Sequence, residues 1–296
     1  MVIKQLAYLV ALAREEHFAR AAKACNISQP TLSGAIRALE EELGVPLVER
    51  GHRFTGFTAE GEMILEHAKR ILAEIDTMGQ SLSDVRLGLK GRLRLGAIPT
   101  ALPLVAQITG PFSERYPAVT LTVLSMTSNA IQSAIDNFDI DVGITYLDNE
   151  PLERVISKPL YNETYVLLTR EDSTLAKRDE IGWREAADLN LCLLTPDMQN
   201  RRILDGIFRS VGKAPVPVME TNSIFNLCSH AAVAGWVSIV PSQLPRFFGI
   251  PSGLKALRLV DPAASRSVGI ILADRQPQAP LARSLMAISE PIPMSE

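Results

Sequence analysis

Residues 27–44 place apolar and polar side chains in the pattern of an amphipathic helix. The apolar positions recur at helical spacing at Leu32, Ala35, Ile36, Leu39 and Leu43. The opposite face carries small, uncharged polar residues, and three acids follow only at the far end, at residues 40–42. The pattern predicts one helix with a buried stripe and an unusual outer face.

Two further helices and a hairpin are predicted around this helix. The first helix is expected to bury Leu6, Leu9, Val10 and Ala13. Residues 18–25 form a short second helix, and Ser28 is a good N-cap for the third. After Gly44, two short extended runs flank Gly51 and His52. A trihelical unit followed by a hairpin predicts an α-rich winged helix-turn-helix domain at residues 1–58.

A long helix is predicted next, with Thr58 as its N-cap. Its apolar residues are spaced alternately four and three apart, at Ile64, Ala68, Ile71, Ile75, Met78, Leu82, Val85 and Leu89. A heptad stripe stays on one face of a long helix, so the pattern favours a coiled coil over packing within the domain. Gly88 and Gly91 then interrupt the pattern. Residues 59–90 are interpreted as a linker helix that forms a dimer.

From residue 91 onward, strand and helix patterns alternate. Strands are predicted at residues 92–98, 119–125, 140–146, 191–195, 216–220 and 236–241, and helices at 102–115, 129–137, 199–211 and 223–234. Two βαβαβ halves predict an α/β domain with two parallel-rich sheets. Residues 164–172 are expected to cross between the halves, and a last strand at 267–274 to return to the first.

The predicted regulatory domain therefore covers residues 91–296 and has two lobes. Lobe I takes about residues 91–161 and 268–296, and lobe II about residues 162–267. Ligands of such sheets bind beyond the carboxyl ends of the strands, so the cleft between the lobes is the expected pocket.

The outer face of the third helix has residue types suited to DNA. Gln29, Ser33 and Arg37 share this face, with Pro30 and Gly34 beside them. Small groups let a helix N-terminus enter the major groove, where Gln can bond adenine and Arg can bond guanine or phosphate. A solvated face would usually carry Lys and Glu, which form helices better than Ser, Thr or Gly. The pattern favours DNA recognition over a merely solvated helix, and it puts the three acids at the end that leaves the groove.

The charges of the N-terminal domain give this interpretation only partial support. Basic and acidic residues balance within residues 1–60, so the domain is not basic overall. Arg20 and Lys23 flank the helix-turn-helix, and Arg50 and Arg53 lie on the hairpin, where they could contact phosphates or the minor groove. An oligomer would multiply such weak contacts.

Composition places the 296-residue chain among soluble cytoplasmic proteins. Its net charge of −3 argues against a generally basic coat, and three cysteines without close pairing fit a reducing compartment. The apolar run near the N-terminus is short, contains Gln5 and is followed at once by charges, which favours an amphipathic helix over a signal peptide. No stretch approaches the ~20 apolar residues of a membrane span.

Residues 18–62, "FARAAKACNISQPTLSGAIRALEEELGVPLVERGHRFTGFTAEGE", resemble the LysR-type transcriptional regulators. Val48 stands where an aromatic residue is more usual in that family. The order of the three segments matches as well, so the resemblance covers the whole chain. It implies a winged helix-turn-helix, a linker-helix dimer and a two-lobed domain like type 2 periplasmic binding proteins. It also implies a homotetramer that binds double-stranded promoter DNA, acts on RNA polymerase and responds to a small-molecule effector.

The resemblance also implies functional residues. The base- and phosphate-contacting positions map onto Gln29, Pro30, Thr31, Ser33, Arg37, Arg50 and Arg53, to which Arg20 and the N-cap Ser28 are added. The effector positions map onto Pro99, Thr100, Ala101, Thr127, Ser128, Asn129, Ile144 and Thr145 in lobe I, and Thr195, Arg201, Asn222 and Ser223 in lobe II. Several of these begin helices, which suits an anion, although Thr100 and Ser128 could equally be plain N-caps.

Parts of the sensor half, residues 141–152 and 232–244, resemble regulators that lie beside formate dehydrogenase operons. The effector is therefore expected to be a small carboxylate or oxyanion, formate among them. No metal or cofactor is expected.

Two other classes of protein are less consistent with the sequence. An enzyme is disfavoured because Cys228 and His230, two apart on a helix, do not face each other, and no glycine-rich phosphate loop follows a strand. A small-molecule-binding protein of periplasmic-receptor ancestry, without specific DNA binding, is the main alternative. The absence of a secretion signal argues against an exported receptor.

Overall fold

The computed structural model describes residues 1–49 and 54–293, and for residues 83–87 the backbone alone. The chain divides into two compact units, the first formed by Met1–Leu87 and the second by most of the remainder. Each unit has a hydrophobic core of its own.

The first unit contains four helices within its described residues. They are α1 (Ile3–Glu15), α2 (Phe18–Ala24), α3 (Gln29–Leu43) and α4 (Ala59–Leu87). The predicted stripe of α3 is confirmed at Leu32, Ile36 and Leu39, which are buried. On α1 the buried face is Leu6, Leu9 and Leu12, whereas the predicted Val10 and Ala13 are half-buried. The core therefore adds Leu12 to the predicted face of α1, and Val10 and Ala13 pack against its edge.

An extended hairpin follows α3. Val48 and Phe57 pair as an antiparallel bridge, and the amide of Glu49 donates to the carbonyl of Gly56 at 3.1 Å. These contacts confirm the predicted pair of extended runs. Residues 50–53, and with them Arg50 and Arg53, lie outside the described residues.

Helix α4 begins as the sequence predicts. The Thr58 hydroxyl accepts a hydrogen bond from the amide of Gly61 at 2.9 Å, which satisfies a free donor of the first turn. The predicted apolar seam does not reach Leu89, because the helix ends at Leu87 and Gly88 takes a positive φ of 80°. Leu89 is instead buried in the core of the second unit. Within the seam, Met78 and Leu82 are 59% and 62% exposed.

The second unit has two mixed sheets, which are the cores of lobes I and II. Lobe I contains β1 (Gly91–Ala97), α5 (Leu102–Arg115), β2 (Val119–Ser125), α6 (Ser128–Asp136), β3 (Val142–Tyr146) and β4 (Val155–Glu163). Lobe II contains β5 (Tyr165–Arg170), a 3-10 turn (Thr174–Lys177), β6 (Glu180–Gly182), α7 (Trp183–Ala186), β7 (Leu191–Leu194), α8 (Gln199–Ser210), β8 (Met219–Thr221), α9 (Ile224–Val233), β9 (Val237–Pro241), α10 (Gln243–Phe248) and β10 (Leu254–Val260). The chain then returns to lobe I through β11 (Arg266–Ala273) and α11 (Pro280–Ile288).

The sheet orders are β2-β1-β3-β11-β4 and β6-β10-β5-β9-β7-β8. The predicted return of the last strand to the first half is confirmed, since β11 lies between β3 and β4 and is antiparallel to both. The strand predicted at 216–220 is displaced, because β8 covers only Met219–Thr221. The sequence missed β4, β6 and β10, whose alternation is broken by charged or small residues.

The chain crosses between the two sheets twice. Thr164 separates β4 from β5 on the outward crossing, and residues 261–265 separate β10 from β11 on the return. We call these two crossing segments the hinge of the second unit. Strand ends and helix starts of both lobes meet beside this hinge, as expected for open α/β sheets.

Two features are absent from the described part of the chain: a membrane-spanning helix and a metal-binding cluster. No helix there is long and apolar enough to cross a membrane. No group of three or more His, Cys, Asp or Glu residues there could hold a metal ion.

Candidate nucleic-acid interface and effector cleft

Helix α3 has a well-formed start. The Ser28 hydroxyl accepts a hydrogen bond from the Thr31 amide at 3.3 Å, and the two hydroxyl oxygens are 2.7 Å apart. Pro30 occupies the first turn, where its missing N–H costs nothing. The helix ends at Gly44, whose φ is 74°. Ser28 is thus a structural cap whatever else it contacts.

Most of the outer face of α3 is exposed. Gln29, Pro30, Thr31 and Arg37 are exposed and Ser33 is half-buried. The side chains of Gln29, Ser33 and Arg37 form no hydrogen bond or ion pair with any described part of the chain. A Cβ added at Gly34 would meet nothing within 4 Å, so internal packing does not require glycine there. The polar groups of this face are therefore available to a partner that approaches closely.

Arg20 is only partly available. Its guanidinium donates to the Glu15 carbonyl at 2.5 and 3.2 Å, which satisfies an acceptor at the end of α1. Its side chain nevertheless remains 64% exposed. The predicted DNA contacts Arg50 and Arg53 lie outside the described residues.

Glu40 has a role that the sequence did not indicate. One of its carboxylate oxygens accepts hydrogen bonds from the amides of Leu47 and Val48, at 2.7 and 3.1 Å. The acid therefore anchors the hairpin to the end of α3. Its place at that end follows from this contact, and avoidance of phosphates is not needed to explain it.

A buried polar cluster lies between lobes I and II. Tyr146 donates its hydroxyl hydrogen to Glu163, and the Gln243 amide donates to the other carboxylate oxygen at 2.8 Å. Asn200 donates to the Tyr146 hydroxyl at 3.1 Å and lies 3.4 Å from Glu163. The Thr100 hydroxyl is 3.3 Å from that of Tyr146. All five side chains are buried, so groups from both lobes meet on one carboxyl.

Burial sets the ionisation of this carboxyl. Desolvation raises the pKa of Glu163 to about 7 from an ordinary 4.5, and hydrogen bonds from Tyr146 and Gln243 offset only part of that rise. Burial and the nearby Glu163 also raise the pKa of Tyr146. The cluster can therefore hold or release a proton near neutral pH while its tyrosine stays neutral.

A very small cavity adjoins this cluster, which we call the polar cleft cavity. Its volume is about 10 Å³, room for roughly one water molecule. Four of the predicted effector positions line it: Pro99, Thr100, Thr127 and Ser128. Its lining also includes Tyr146, Gln199 and Asn200. Of these, the sequence did not predict Tyr146, Gln199 and Asn200.

A larger cavity, the apolar cleft cavity, opens on the same side. Its volume is about 330 Å³, and it is bounded by parts of α5 and β2 in lobe I and of α9 and α10 in lobe II. Pro99, Asn222 and Ser223 are the effector positions that line it. Its walls are mainly apolar, with Leu102, Ile224, Phe225, Leu244 and Phe248.

The remaining effector positions lie outside both cavities. Ala101 and Ile144 are core residues, and Asn129 is exposed on α6. The hydroxyls of Thr145 and Thr195 are buried without a hydrogen-bond partner. Arg201 is engaged within lobe II by Asp205 at 2.9 Å, Glu220 at 2.6 Å and the Leu194 carbonyl at 2.8 Å.

Arg202, which the sequence did not single out, joins the two lobes. It forms two hydrogen bonds to the Glu150 carboxylate, at 2.6 and 2.8 Å, and lies 3.4 Å from the Ser128 hydroxyl. Its remaining nitrogen donates to the carbonyls of Pro196 and Asp197. A bidentate pair of this kind fixes the relative orientation of the two side chains and also stabilises their opposite charges. Arg201 and Arg202 are adjacent in sequence, and only the turn of α8 decides which one faces the cleft.

Comparison with known protein families matches both units. Residues 3–62 match the bacterial regulatory helix-turn-helix model of the lysR family, and residues 86–290 match the LysR substrate-binding domain. A hydrogen peroxide-inducible genes activator of Dickeya chrysanthemi is 30% identical over 95% of this chain and 91% of its own. The DNA-binding transcriptional dual regulator OxyR of Escherichia coli K12 is 29% identical over 99% and 95%.

Solved structures give the same result. A full-length OxyR variant from Pseudomonas aeruginosa superposes with a TM-score of 0.76 at 26% identity, covering 98% of this chain and 97% of that one. Full-length CbnR in complex with its target DNA shares the fold, with a TM-score of 0.70 at 21% identity over 98% and 100%. The functions named for these relatives are regulatory, and none of their names mentions formate, so that link stays a prediction. This chain belongs to the LysR family of bacterial DNA-binding transcriptional regulators.

Proposed function

We propose that this regulator binds promoter DNA as a homo-oligomer and changes transcription when a small molecule enters the cleft between lobes I and II. The observation that best supports this proposal is the buried cluster around Glu163, where polar groups of both lobes meet beside two cavities. A ligand there contacts both lobes, so it can favour one lobe arrangement over another. The match of residues 3–62 to a DNA-binding model argues against a receptor without DNA binding.

The proposed DNA contacts are on α3. Gln29, Ser33 and Arg37 read base edges or phosphates, and the open surface at Gly34 lets the helix approach closely. Pro30 and Thr31 complete this face, and Arg20, Arg50 and Arg53 contact the DNA backbone. Dimerisation through α4 places two such helices on one operator, and a tetramer would add a second pair.

The proposed effector is a small organic acid. Helices α6 and α8 begin at the polar cleft cavity, and their free N–H groups favour a carboxylate or another oxyanion. That cavity is too small for an effector larger than a water molecule unless the cleft opens. The apolar walls of the larger cavity favour an acid with an apolar body over formate.

Peroxide sensing through cysteine is a second candidate, because relatives are named as peroxide-inducible activators. The thiols of this chain do not favour it. Burial raises the pKa of Cys25, Cys192 and Cys228, whereas peroxide reacts with the thiolate. Cys192 is fully buried in an apolar cluster. Reversible ligand binding suits this sensor domain better than thiol oxidation.

Removing hydroxyls from the polar cleft cavity is expected to blunt the response to effector. Thr100→Val and Ser128→Ala keep approximate size and remove one hydrogen-bonding group each, worth about 0.5–1.5 kcal/mol. Operator affinity should stay within about twofold, because α3 is untouched. Calorimetry with benzoate and formate, paired with transcription in vitro, measures both effects.

Thr109→Val is the matched control, since its hydroxyl bonds the Val105 carbonyl within α5 and lines neither cleft cavity. It should respond as the wild type does. Normal binding and switching by both cleft variants would place the effector site elsewhere and leave Thr100 and Ser128 as structural residues.

A further inference from the structure

A third cavity lies at the hinge of the second unit. We call it the hinge cavity, and its volume is about 670 Å³. Both crossings between the sheets line it, the outward one with Thr164 and the return with residues 263–265. Its other walls are β5, β10, α10 with the loop after it, and Trp183 of α7. Its lining shares no residue with either cleft cavity.

The floor of the hinge cavity is apolar. Val166, Ala256 and Leu259 contribute from the strands, and Pro245 and Ile250 from α10 and the loop after it. A volume of several hundred cubic ångströms with apolar walls is typical of a site for a small organic molecule. Water alone is a poor occupant of such a surface.

The polar groups of the hinge cavity are cationic or neutral. Arg246 and Arg258 line it, and no Asp or Glu does. Arg258 pairs at 2.9 Å with Glu180, an exposed contact of little strength, since the arginine side chain is 75% exposed. Arg246 is exposed and forms no ion pair with a carboxylate in the described part of the chain. The Thr164 and Ser242 hydroxyls, 2.6 Å apart, provide neutral hydrogen-bonding groups.

We propose that the hinge cavity is a second ligand site, which takes an organic anion with an apolar body. The anionic group pairs with Arg246 and Arg258, and the apolar body lies on the floor between α10 and β10. Two guanidinium groups without a lining carboxylate select for negative charge. A neutral molecule of the same shape can at most accept neutral hydrogen bonds from these arginines, which are weaker than charge-assisted ones.

The position of this site gives it a route to the cleft. Helix α10 carries Arg246 and Pro245 into the hinge cavity, whereas its Leu244 and Phe248 line the apolar cleft cavity. Its first residue, Gln243, donates to Glu163. An occupant of the hinge cavity therefore acts on the element that also holds the cleft cluster, and any coupling between the sites is reciprocal.

Calorimetric titration of the full chain with 1-naphthoate tests the proposal. This probe joins one carboxylate to an apolar body that fits the cavity, and 1-naphthamide is its neutral counterpart. The double variant Arg246→Ala/Arg258→Ala should weaken naphthoate binding about tenfold or more, since charge-assisted hydrogen bonds are the strong ones. Naphthamide should bind the wild type at least about tenfold more weakly than naphthoate, for the same reason.

Three further variants separate binding in the hinge cavity from binding in the cleft or at surface charges. Ala263→Trp fills the hinge cavity from its exposed rim and should abolish binding. Arg209→Ala removes an exposed arginine outside the cavity, and Ser125→Trp narrows the apolar cleft cavity, so neither should change the affinity. Unchanged affinity in the double arginine variant, or binding lost in Ser125→Trp alone, would overturn the proposal and leave the cleft effector site unaffected.

Discussion

Met78→Asp is expected to dissociate the protein into monomers and to weaken operator binding. Met78 lies on the heptad seam of α4 and is 59% exposed in a single chain, so the monomer tolerates an acid there. In a coiled-coil dimer two carboxylates would face each other away from water. An uncompensated buried charge costs about 3–5 kcal/mol, which raises the dimer dissociation constant a few hundredfold to a few thousandfold.

Met63 supplies the matched control. It is 54% exposed on the same helix but lies off the seam. Met63→Asp should keep the wild-type mass in sedimentation equilibrium and the wild-type affinity for a two-half-site operator. Equal masses for both variants, with operator affinity unchanged in Met78→Asp, would contradict dimerisation through α4.

Glu163→Gln is expected to remove the contribution of this carboxyl to the pH dependence of stability, which falls between about pH 4.5 and 7. The folded pKa of Glu163 is raised to about 7 from 4.5, so folding favours the protonated form. The contribution of Glu163 to the stability of the wild type is therefore largest below pH 4.5. The wild type loses this contribution as the pH rises from 4.5 to about 7. The full loss corresponds to roughly 3 kcal/mol.

Glutamine keeps the size and the hydrogen-bonding groups of the protonated acid. Its oxygen accepts from Tyr146, and its amide donates to the Gln243 oxygen once the Gln243 amide has turned over, since in the wild type the Gln243 nitrogen faces this carboxyl and the oxygen has no partner. The free energy of unfolding of the second unit, measured by denaturant titration from pH 4.5 to 8, should become flatter in Glu163→Gln. Glu290→Gln, at an exposed position, should retain the wild-type slope. A wild-type slope in Glu163→Gln would remove Glu163 as the titrating group.

The local elements of this fold could be predicted because each follows from short-range chemistry. The α3 stripe, the Ser28 and Thr58 caps and the strand at residues 119–125 all need only neighbouring residues. The end of α4 was harder, because Leu89 continues the heptad spacing while Gly88 ends the helix. Leu89 belongs to the core of the second unit because its side chain is buried there, and the heptad spacing does not reveal that burial.

The polar cluster could be predicted only in part, because its members are far apart in sequence. Thr100 and Ser128 precede or begin helices after strands, which is a local signal. Glu163 instead sits in a strand that the sequence did not indicate, and nothing nearby marks its carboxyl as buried. Its partners Asn200 and Gln243 come from two other helices, so only the assembled sheets bring them together.

The most direct measurement is selection of bound sites from a random duplex library by the wild type, Gln29→Ala and the control Gln107→Ala. The wild type should enrich two symmetric half-sites whose centres are separated by a multiple of about 10–10.5 base pairs. Gln29→Ala should lose preference at one symmetry-related position, by about 1–3 kcal/mol, while keeping the half-site spacing. Gln107, exposed on α5, should leave the site unchanged when replaced. An unenriched pool for the wild type, or identical sites for the wild type and Gln29→Ala, would contradict DNA reading by α3.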